Sequence, residues 1–445
     1  MTHYVIIGAN AAGLSAAVRI KKQDTQAKIT VLEKSHNVSF GACGIPYFIG
    51  GEFANIEQMT AREFEDFIKI GIDIKLNHTV THVNFNQKIV QANLLNHKEI
   101  DFHYDKLMIA SGARPIIPSI EGLENINYVT MHSRDDALHI KEQLLGINKI
   151  AILGAGFIGV EAAEALRLQN KEVHLIDHNK TVLAKTFDEK ITEHLVNQLT
   201  SHGVNLHLNK KILGVSPSSK ARTFQLRLND QNLDVELLII ATGFRPNTEF
   251  LPEGAILCDD RGAIIVNEYG ETSIKGVYSA GDCATVPHKI LGNRYIPLAT
   301  TANKLGRLVG DNLAGEEKSF IGTLGACGVR VFDIEVGRVG ISEQEAELAE
   351  IDYKTVFIKD KNRTDYVPPQ TDIYIKLIYH SQSRILLGGQ ILGNYQAGAI
   401  GRVNALSVAI YSQLTVDELG MMDFVYAPPF ARTWDALNIA GNVAK

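Results

Sequence analysis

Residues 149–159 read Lys-Ile-Ala-Ile-Leu-Gly-Ala-Gly-Phe-Ile-Gly, an apolar run that passes directly into the pattern Gly-x-Gly-x-x-Gly. A second apolar run ends at the carboxylate of Asp177, 18 residues after the last glycine. In units of this kind the helix after the glycines receives a pyrophosphate at its N-terminus, and the acid bonds a ribose hydroxyl. The sequence therefore predicts a Rossmann-like α/β fold around these residues.

A second unit of the same kind opens the chain. The apolar run Tyr4–Ile7 leads into Gly-Ala-Asn-Ala-Ala-Gly at residues 8–13, and the run 29–32 ends at Glu33. Asn10 replaces the middle glycine of the pattern. The two glycine-rich turns begin 146 residues apart, which is too far for one unit and indicates two domains.

An internal repeat marks where the chain passes between these domains. Each unit is followed by an apolar run and a Gly-x-Arg-Pro phrase, at residues 112–115 and 243–246. We therefore expect a discontinuous first domain over 1–112 and 245–321, and a second over 113–244. Alternating strands and two helices predict an α+β domain over 322–445. Spacing of apolar residues also predicts an amphipathic helix over 57–70.

Composition and charge exclude several classes of protein. The 445 residues are 45% apolar and 21% charged, with a net charge of −6, so we expect no nucleic-acid partner and no attraction to anionic membranes. The N-terminus reads as a buried strand and not as a signal peptide. Four scattered cysteines without Cys-x-x-Cys spacing predict no metal site and no disulfide framework, and they favour a cytoplasmic protein.

One cysteine occupies a distinctive position. Cys43 lies in Ser39-Phe-Gly-Ala-Cys-Gly-Ile-Pro-Tyr-Phe48, soon after Glu33 of the first unit. The other three cysteines are far away in sequence and are interpreted as buried structural thiols: Cys258, Cys283 and Cys327. Redox chemistry at this loop would therefore use one sulfur. Because Cys43 lies at a predicted helix start, we expect its thiol pKa to be lowered.

Taken in order, these motifs resemble the pyridine nucleotide-disulfide oxidoreductases over essentially the whole chain. The resemblance implies FAD in the first unit, a nicotinamide nucleotide in the second, and a C-terminal domain that forms a homodimer. Asp177 favours NADH over NADPH, because its carboxylate would repel a 2′-phosphate. The single Cys43, with Phe48 where a second cysteine would stand, resembles the branch of coenzyme A-disulfide reductases, NADH oxidases and NADH peroxidases.

The resemblance also assigns residues to roles. Tyr426, in Tyr-Ala-Pro-Pro, and Tyr366 are implied to reach the cysteine of the partner subunit, and Lys21 and Lys22 to approach coenzyme A phosphates. Asn10 stands where oxidases and peroxidases of this branch carry a catalytic histidine. The implied cofactor contacts are Gly8, Asn10, Ala11, Gly13, Glu33, Lys34, Ser39, Val80, Ser111, Gly112, Gly154, Gly156, Ile158, Gly159, Asp177, Gly243, Gly281, Asp282, Ala299 and Thr300.

The resulting expectation is an FAD-dependent NAD(P)H oxidoreductase that reduces a low-molecular-weight disulfide through Cys43, with coenzyme A disulfide favoured. Electrons would pass from NADH through the flavin to the sulfur. Three alternatives stay open: an NADH oxidase or peroxidase, a reductase of persulfides or of small sulfur electrophiles such as hypothiocyanous acid, and a non-enzymatic flavoprotein that senses redox state.

Overall fold

The structure is a computed structural model that describes residues 1–94, 98–218 and 222–445. No helix in these residues is both long enough and apolar enough to cross a membrane. The described α-helices are α1 Ala11–Gln23, α2 Ile45–Gly50, α3 Phe64–Lys69, α4 Arg134–Gln143, α5 Phe157–Leu168, α6 Glu189–Ser201, α7 Ala299–Leu313, α8 Glu343–Leu348, α9 Ala399–Tyr411, α10 Val416–Met421 and α11 Ala436–Val443.

Short 3₁₀ helices and strands complete the described elements. The 3₁₀ helices are Ala42–Gly44, Ile56–Met59 and Leu123–Asn125. The strands are β1 His3–Ile7, β2 Lys28–Leu32, β3 Asp73–Lys75, β4 His78–Asn84, β5 Ile89–Leu94, β6 Glu99–His103, β7 Lys106–Ile109, β8 Ala113–Pro115, β9 Tyr128–Thr130, β10 Lys149–Leu153, β11 Glu172–Ile176, β12 Asn205–His207, β13 Ile212–Pro217, β14 Phe224–Leu228, β15 Asn232–Val235, β16 Leu237–Ile240, β17 Phe244–Pro246, β18 Val277–Ser279, β19 Val286–His288, β20 Gly292–Arg294, β21 Cys327–Val331, β22 Ile334–Gly340, β23 Tyr353–Lys361, β24 Asp372–His380 and β25 Leu386–Asn394.

Two five-stranded parallel sheets repeat one arrangement. The first has the order β18-β7-β1-β2-β3, and the second has the order β12-β11-β10-β16-β9. In each sheet the strand before the glycine-rich turn lies at the centre, and a three-stranded antiparallel sheet, β4-β5-β6 or β13-β14-β15, accompanies it. This duplication confirms the predicted α/β class with two Rossmann-like units.

Apolar strands explain why both sheets are buried. Residues Val5, Ile6 and Ile7 of β1 are at most 5% exposed, as expected for a parallel strand covered by helices on both faces. On one face α1 and α7 approach so closely that a Cβ on Gly306 would lie 2.5 Å from the carbonyl oxygen of Ala12. The small residues at this crossing bring the helix after the first glycine turn against α7.

The C-terminal part is a separate antiparallel sheet with helices. Its order is β21-β22-β25-β24-β23, and all neighbouring pairs are antiparallel. Residues 322–445, all of them described, contain four helices, α8 to α11, and not the two predicted. Two of these four, α8 and α10, have six residues each, which is too short to leave a clear periodic pattern.

The helix predicted over 57–70 is wrong. The chain instead forms the 3₁₀ helix Ile56–Met59 and then α3, with an extended piece between them. Thr60 forms an antiparallel bridge with Phe40, so a contact with the Cys43 loop interrupts the helical periodicity. The predicted domain boundaries stay a prediction, although the two Gly-x-Arg-Pro phrases pair directly as β8 and β17.

Candidate active site

The predicted contacts of the first unit gather at one edge of the first sheet. In parallel sheets, ligands bind outside the carboxyl ends of the strands. The residues at those ends are Gly8, Asn10, Ala11 and Gly13 after β1, Glu33 and Lys34 after β2, Ser111 and Gly112 after β7, and Gly281 and Asp282 after β18. Ala299 and Thr300 begin α7, which lies close to these residues. A Cβ on Gly281 would lie 3.1 Å from the Cβ of Ala12 in α1 and 4.0 Å from the Cβ of Ala302 in α7.

The acid after the second strand has the same place in both units. Oε2 of Glu33 accepts a 2.8 Å bond from the Ala9 amide, and Oδ2 of Asp177 accepts a 2.6 Å bond from the Ala155 amide. Oε1 of Glu33 accepts from the Ser35 amide at 2.9 Å. A carboxylate offers about four lone-pair sites, so both acids keep capacity for a ribose hydroxyl.

Glycine geometry fits a bound pyrophosphate. Gly8 and Gly154 have φ values of +106° and +108°, and a Cβ on them would lie 2.1 and 2.3 Å from the carbonyl oxygens of Ala110 and Ala241. Gly156 differs, because a Cβ there meets no atom within 4 Å. The first glycine of each turn is therefore required for the backbone conformation and for close packing against the neighbouring segment. Gly156 instead leaves open space where a ligand can approach the backbone.

The remaining predicted contacts are placed as follows. Ile158 and Gly159 lie in the first turn of α5, and Gly243 lies between β16 and β17. Val80 is half-buried in β4, which begins at His78, whose amide donates a 2.8 Å bond to the Glu33 carbonyl oxygen. At the opposite end of α1 from its glycine turn, Lys21 donates a 3.0 Å bond to the Ala27 carbonyl oxygen, and Lys22 is exposed.

The Cys43 loop rests on the first glycine turn. The Phe40 amide donates a 3.0 Å bond to Oδ1 of Asn10, and the Ser39 amide donates a 3.0 Å bond to the carbonyl oxygen of Ala9. Cys43 is exposed in the 3₁₀ helix that leads into α2. Asn10 therefore anchors the loop that carries the thiol, and the thiol lies beside the edge where the predicted contacts gather.

Electrostatics at the thiol differ from the expectation. Partial burial raises the pKa of Cys43, and the carboxylates of Glu161 and Asp282 raise it further. The predicted lowering of this pKa is wrong, because α2 has only six residues and its dipole is outweighed. Burial also raises the pKa of Asp282.

Glu161 and Tyr47 are site residues that the sequence analysis missed. The Tyr47 hydroxyl donates a 3.4 Å bond to Oε1 of Glu161, which joins α2 to α5. Burial raises the pKa of Glu161 to about 7 and that of Tyr47 to about 12. The available signal was a carboxylate two residues after Gly159, but nothing in the sequence shows that it meets the Cys43 helix.

We expect Glu161→Gln to make Cys43 more reactive at pH 8. There the Glu161 carboxylate is charged and raises the thiol pKa, so its removal lowers that pKa and increases the thiolate fraction. We predict roughly threefold faster alkylation by iodoacetamide, corresponding to about half a pKa unit. Below about pH 6 the difference should vanish, because Glu161 is then neutral in the unmodified protein as well.

The control for this variant is Glu142→Gln, which removes an exposed carboxylate from α4. Rates should be followed by mass spectrometry of the Cys43 peptide after reduction. Equal rates for the Glu161 variant and the unmodified protein at pH 8 would contradict the assignment.

The two predicted catalytic tyrosines lie together. The hydroxyl oxygens of Tyr366 and Tyr426 are 3.4 Å apart, and the side chains are exposed by 68% and 43%. The bond with Tyr366 raises the pKa of Tyr426. In the described part of the chain, no hydrogen bond links either tyrosine to the Cys43 loop of the same subunit.

All four cysteines are free thiols, and one prediction about them is wrong. Cys283 is buried and Cys327 is partly buried, but Cys258 is exposed. Cys258 lies outside the named strands, in a segment that forms an isolated antiparallel bridge with Ile264. Cys283 directly follows Asp282 but is buried, so among the four Cys43 is the exposed thiol beside the gathered contacts.

Comparison with known proteins gives matches along the whole chain. A family model described as pyridine nucleotide-disulphide oxidoreductase matches residues 2–306, and the dimerisation domain of that family matches residues 327–437. The NAD(P)H coenzyme A polysulfide/persulfide reductase of Pyrococcus horikoshii is 35% identical over 445 residues, covering 99% of this chain and 98% of the relative. An NADH oxidase of Enterococcus faecalis is 32% identical over 442 residues, with the same coverages. The water-forming NADH oxidase from Lactobacillus brevis, solved with NADH, superposes with a TM-score of 0.95 at 30% identity, covering 99% of this chain and 98% of that one.

Proposed function

This chain belongs to the pyridine nucleotide-disulphide oxidoreductases, FAD-dependent enzymes that use NADH or NADPH, and we propose that it reduces coenzyme A disulfide through the single sulfur of Cys43. The observation that carries the proposal is an exposed, unpaired thiol on a loop that Asn10 holds against the first glycine turn. Phe48 is buried where a second redox cysteine would stand, so a dithiol mechanism has no second sulfur. The relative named for coenzyme A persulfide chemistry supports this substrate class.

The residues proposed to hold the cofactors are those at the two sheet edges. Glu33 and the turn 8–13 would hold FAD, and Asp177 and the turn 154–159 would hold the nicotinamide nucleotide. When bound, FAD supplies a two-electron carrier between the nucleotide and a sulfur.

NADH is the proposed donor, because the carboxylate of Asp177, which is buried at the end of β11, would repel a 2′-phosphate. Lys180, which could offset this charge, is paired with Glu189 at 2.8 Å.

Cys43 performs thiol–disulfide exchange in this proposal. Its thiolate attacks one sulfur of coenzyme A disulfide, the S–S bond breaks, and one coenzyme A thiolate leaves and takes up a proton. Cys43 then carries the second coenzyme A as a mixed disulfide. Two electrons from NADH reduce that disulfide to the Cys43 thiolate and a second coenzyme A thiol. One NADH and one proton thus yield two thiols.

The test uses the FAD-loaded enzyme with NADH and coenzyme A disulfide in the absence of oxygen. We expect two thiols for each NADH consumed, and a coenzyme A adduct on Cys43 in the intact mass of enzyme purified without reductant. Oxygen uptake that matches NADH loss, with a single added oxygen on Cys43, would instead favour the oxidase class named for other relatives. Turnover with a persulfide or hypothiocyanous acid, and none with coenzyme A disulfide, would show that the proposed substrate is wrong, while the proposed role of the Cys43 thiol would stand.

A homodimer with shared sites is part of the proposal. The segment 421–434 exposes Met421 by 73%, Val425 by 83%, Phe430 by 70% and Trp434 by 49%, next to Tyr426. Exposed apolar side chains at this density are typical of an interface between subunits. Tyr366 and Tyr426 of one subunit are then proposed to protonate the thiolate that leaves at Cys43 of the partner.

We expect a double Tyr366→Phe/Tyr426→Phe variant to lose about 100-fold in kcat, because it lacks the proton donor. The loss of kcat in the double variant should be smaller than the product of the losses in the two single variants, because the two hydroxyls contact each other and do not act independently. A mixed dimer decides whether sites are shared. One subunit carries Cys43→Ser, and the other carries both phenylalanines. Shared sites leave one intact site and half the normal activity, whereas sites built within one subunit leave none.

A further inference from the structure

Arg330 lies where three parts of the chain meet. It belongs to β21 of the C-terminal sheet, and its Nε is 2.7 Å from Oε1 of Glu164 on α5. Its NH2 group also pairs with Glu52, just after α2. Glu164 is only 4% exposed, and its second oxygen accepts a 3.0 Å bond from the Phe332 amide. The arginine thus connects the segment after Cys43, the helix after the second glycine turn, and the C-terminal sheet.

The same guanidinium faces the helix that follows the thiol. Its central carbon is 5.4 Å from the ring centroid of Tyr47, which lies four residues after Cys43. A cation at this distance from an aromatic ring is attracted to it. Tyr47 in turn bonds Glu161, so Arg330 contacts one side of a ring whose hydroxyl contacts the carboxylate beside the thiol.

Helices α2 and α5 pack closely against each other. A Cβ on Gly50 of α2 would lie 3.2 Å from the Cβ of Ala165 on α5. The cavity between them, lined by Tyr47, Glu161, Glu164 and Arg330 among others, has a volume of about 10 Å³, enough for one water molecule. The charged contacts at this cavity therefore lie directly between α2 and α5, where they can fix the position of one helix against the other.

We propose that Arg330 is a positioning residue for Cys43, which holds α2 against α5 and keeps the thiol at a fixed place beside Glu161. This proposal rests on the proposed role of Cys43 and adds a residue from the C-terminal sheet that does not touch the reacting sulfur. Without the guanidinium, the buried Glu164 keeps one backbone donor, and Tyr47 loses the cation that packs on its ring.

Titration of Glu161 gives a readout that a purely structural role would not change. The groups that face Glu161 are Tyr47 from α2, Glu164 from its own helix and Arg330 from β21, and its charge acts on Cys43. Arg330 lowers the pKa of Glu161, although burial outweighs this effect. Removal of Arg330 should therefore move the titration of Glu161 to higher pH, and the pH profile of Cys43 alkylation should move with it.

The experiment compares Arg330→Met, Arg330→Lys and the double variant Arg330→Met/Glu164→Gln in the FAD-loaded full-length enzyme. The double variant removes the buried carboxylate charge together with the arginine, so its stability should return close to that of the unmodified protein. Two quantities are measured: kcat and KM with coenzyme A disulfide, and the rate of Cys43 alkylation by iodoacetamide from pH 5.5 to 9.5. The Cys43→Ser variant gives the background from Cys258.

In Arg330→Met we expect the inflection of the alkylation profile that follows Glu161 to move to higher pH. In the double variant we expect normal melting and a fall in kcat of at least about tenfold without that shift, because Glu164, which raises the pKa of Glu161, is removed together with Arg330, which lowers it. Arg330→Lys should keep the inflection and lose about fivefold in kcat, because one ammonium cannot bond both carboxylates as the guanidinium fork does. Normal kcat in the double variant together with an unmoved inflection in Arg330→Met would overturn the proposal, and so would a lysine variant with normal kcat if both methionine variants lose FAD. The alkylation profile measures the reactivity of the Cys43 thiol itself, so it tests the proposed role of Arg330 even if coenzyme A disulfide is not the substrate.

Discussion

Replacement of Cys43 by serine should abolish disulfide reduction and leave FAD bound. Serine keeps the size of the side chain, but its hydroxyl neither ionises near neutral pH nor forms a disulfide. We expect NADH-dependent thiol release to fall by at least about 1,000-fold, as when a nucleophile is removed from other enzymes. The flavin absorbance should be retained, because the glycine turn and Glu33 that are proposed to hold FAD do not depend on the thiol.

Cys258→Ser is the matched control, because Cys258 is also an exposed free thiol. It lies outside the gathered contacts, so its removal should leave turnover within about twofold. Turnover of the Cys43 variant within tenfold of the unmodified enzyme would exclude Cys43 as the redox sulfur. A loss of flavin in that variant would show instead that the loop 39–48 is needed to hold the cofactor.

Gly154→Ala should strongly destabilise the second unit. The added carbon would lie 2.3 Å from the Ala241 carbonyl oxygen, at a residue whose φ is +108°. Backbone strain and overlap together should lower the free energy of unfolding by about 3–5 kcal/mol. The measurement is urea unfolding of the FAD-loaded protein, monitored by circular dichroism.

Gly156→Ala provides the contrast two residues away. Its Cβ meets no atom within 4 Å, and Gly156 has φ −76° and ψ −169°, which alanine adopts readily. Stability should therefore change by less than about 1 kcal/mol. The KM for NADH should rise at least about tenfold, because the methyl group fills the space proposed for the pyrophosphate. An unchanged KM would contradict that placement, and equal stability losses in both variants would contradict the account of Gly154.

Features that depend on local chemistry could be predicted from the sequence. The two units were found because their first glycines need positive φ and close contact with a neighbouring strand, and because Glu33 and Asp177 bond the turns that precede them. These requirements impose fixed residue types at fixed spacings. The same reasoning located Cys43 on a loop next to the first turn.

Features that depend on distant parts of the chain could not be predicted. Arg330 pairs with Glu164 across 166 positions and with Glu52 across 278, and no spacing marks these partners. The helix expected over 57–70 failed for a related reason, since the bridge between Thr60 and Phe40 overrides local periodicity. The predicted direction of the thiol pKa is wrong because partial burial of Cys43 and two distant carboxylates, Glu161 on α5 and Asp282 after β18, raise it.

The pairing of β8 with β17 bears on how such a chain can change its electron donor in evolution. Arg114 and Arg245 are paired in this two-stranded ribbon, so the chain leaves the first unit and returns to it at one point. Such an insert can be exchanged for one with another nucleotide preference without altering the spacing of the strands on either side. What it must preserve are the surfaces that contact α2, the helix after the thiol: the face of α5 that carries Glu161 and Glu164, and α4, whose Lys141 donates a 3.4 Å bond to the Phe48 carbonyl oxygen. A change of electron donor that keeps these contacts leaves the surroundings of the sulfur in place.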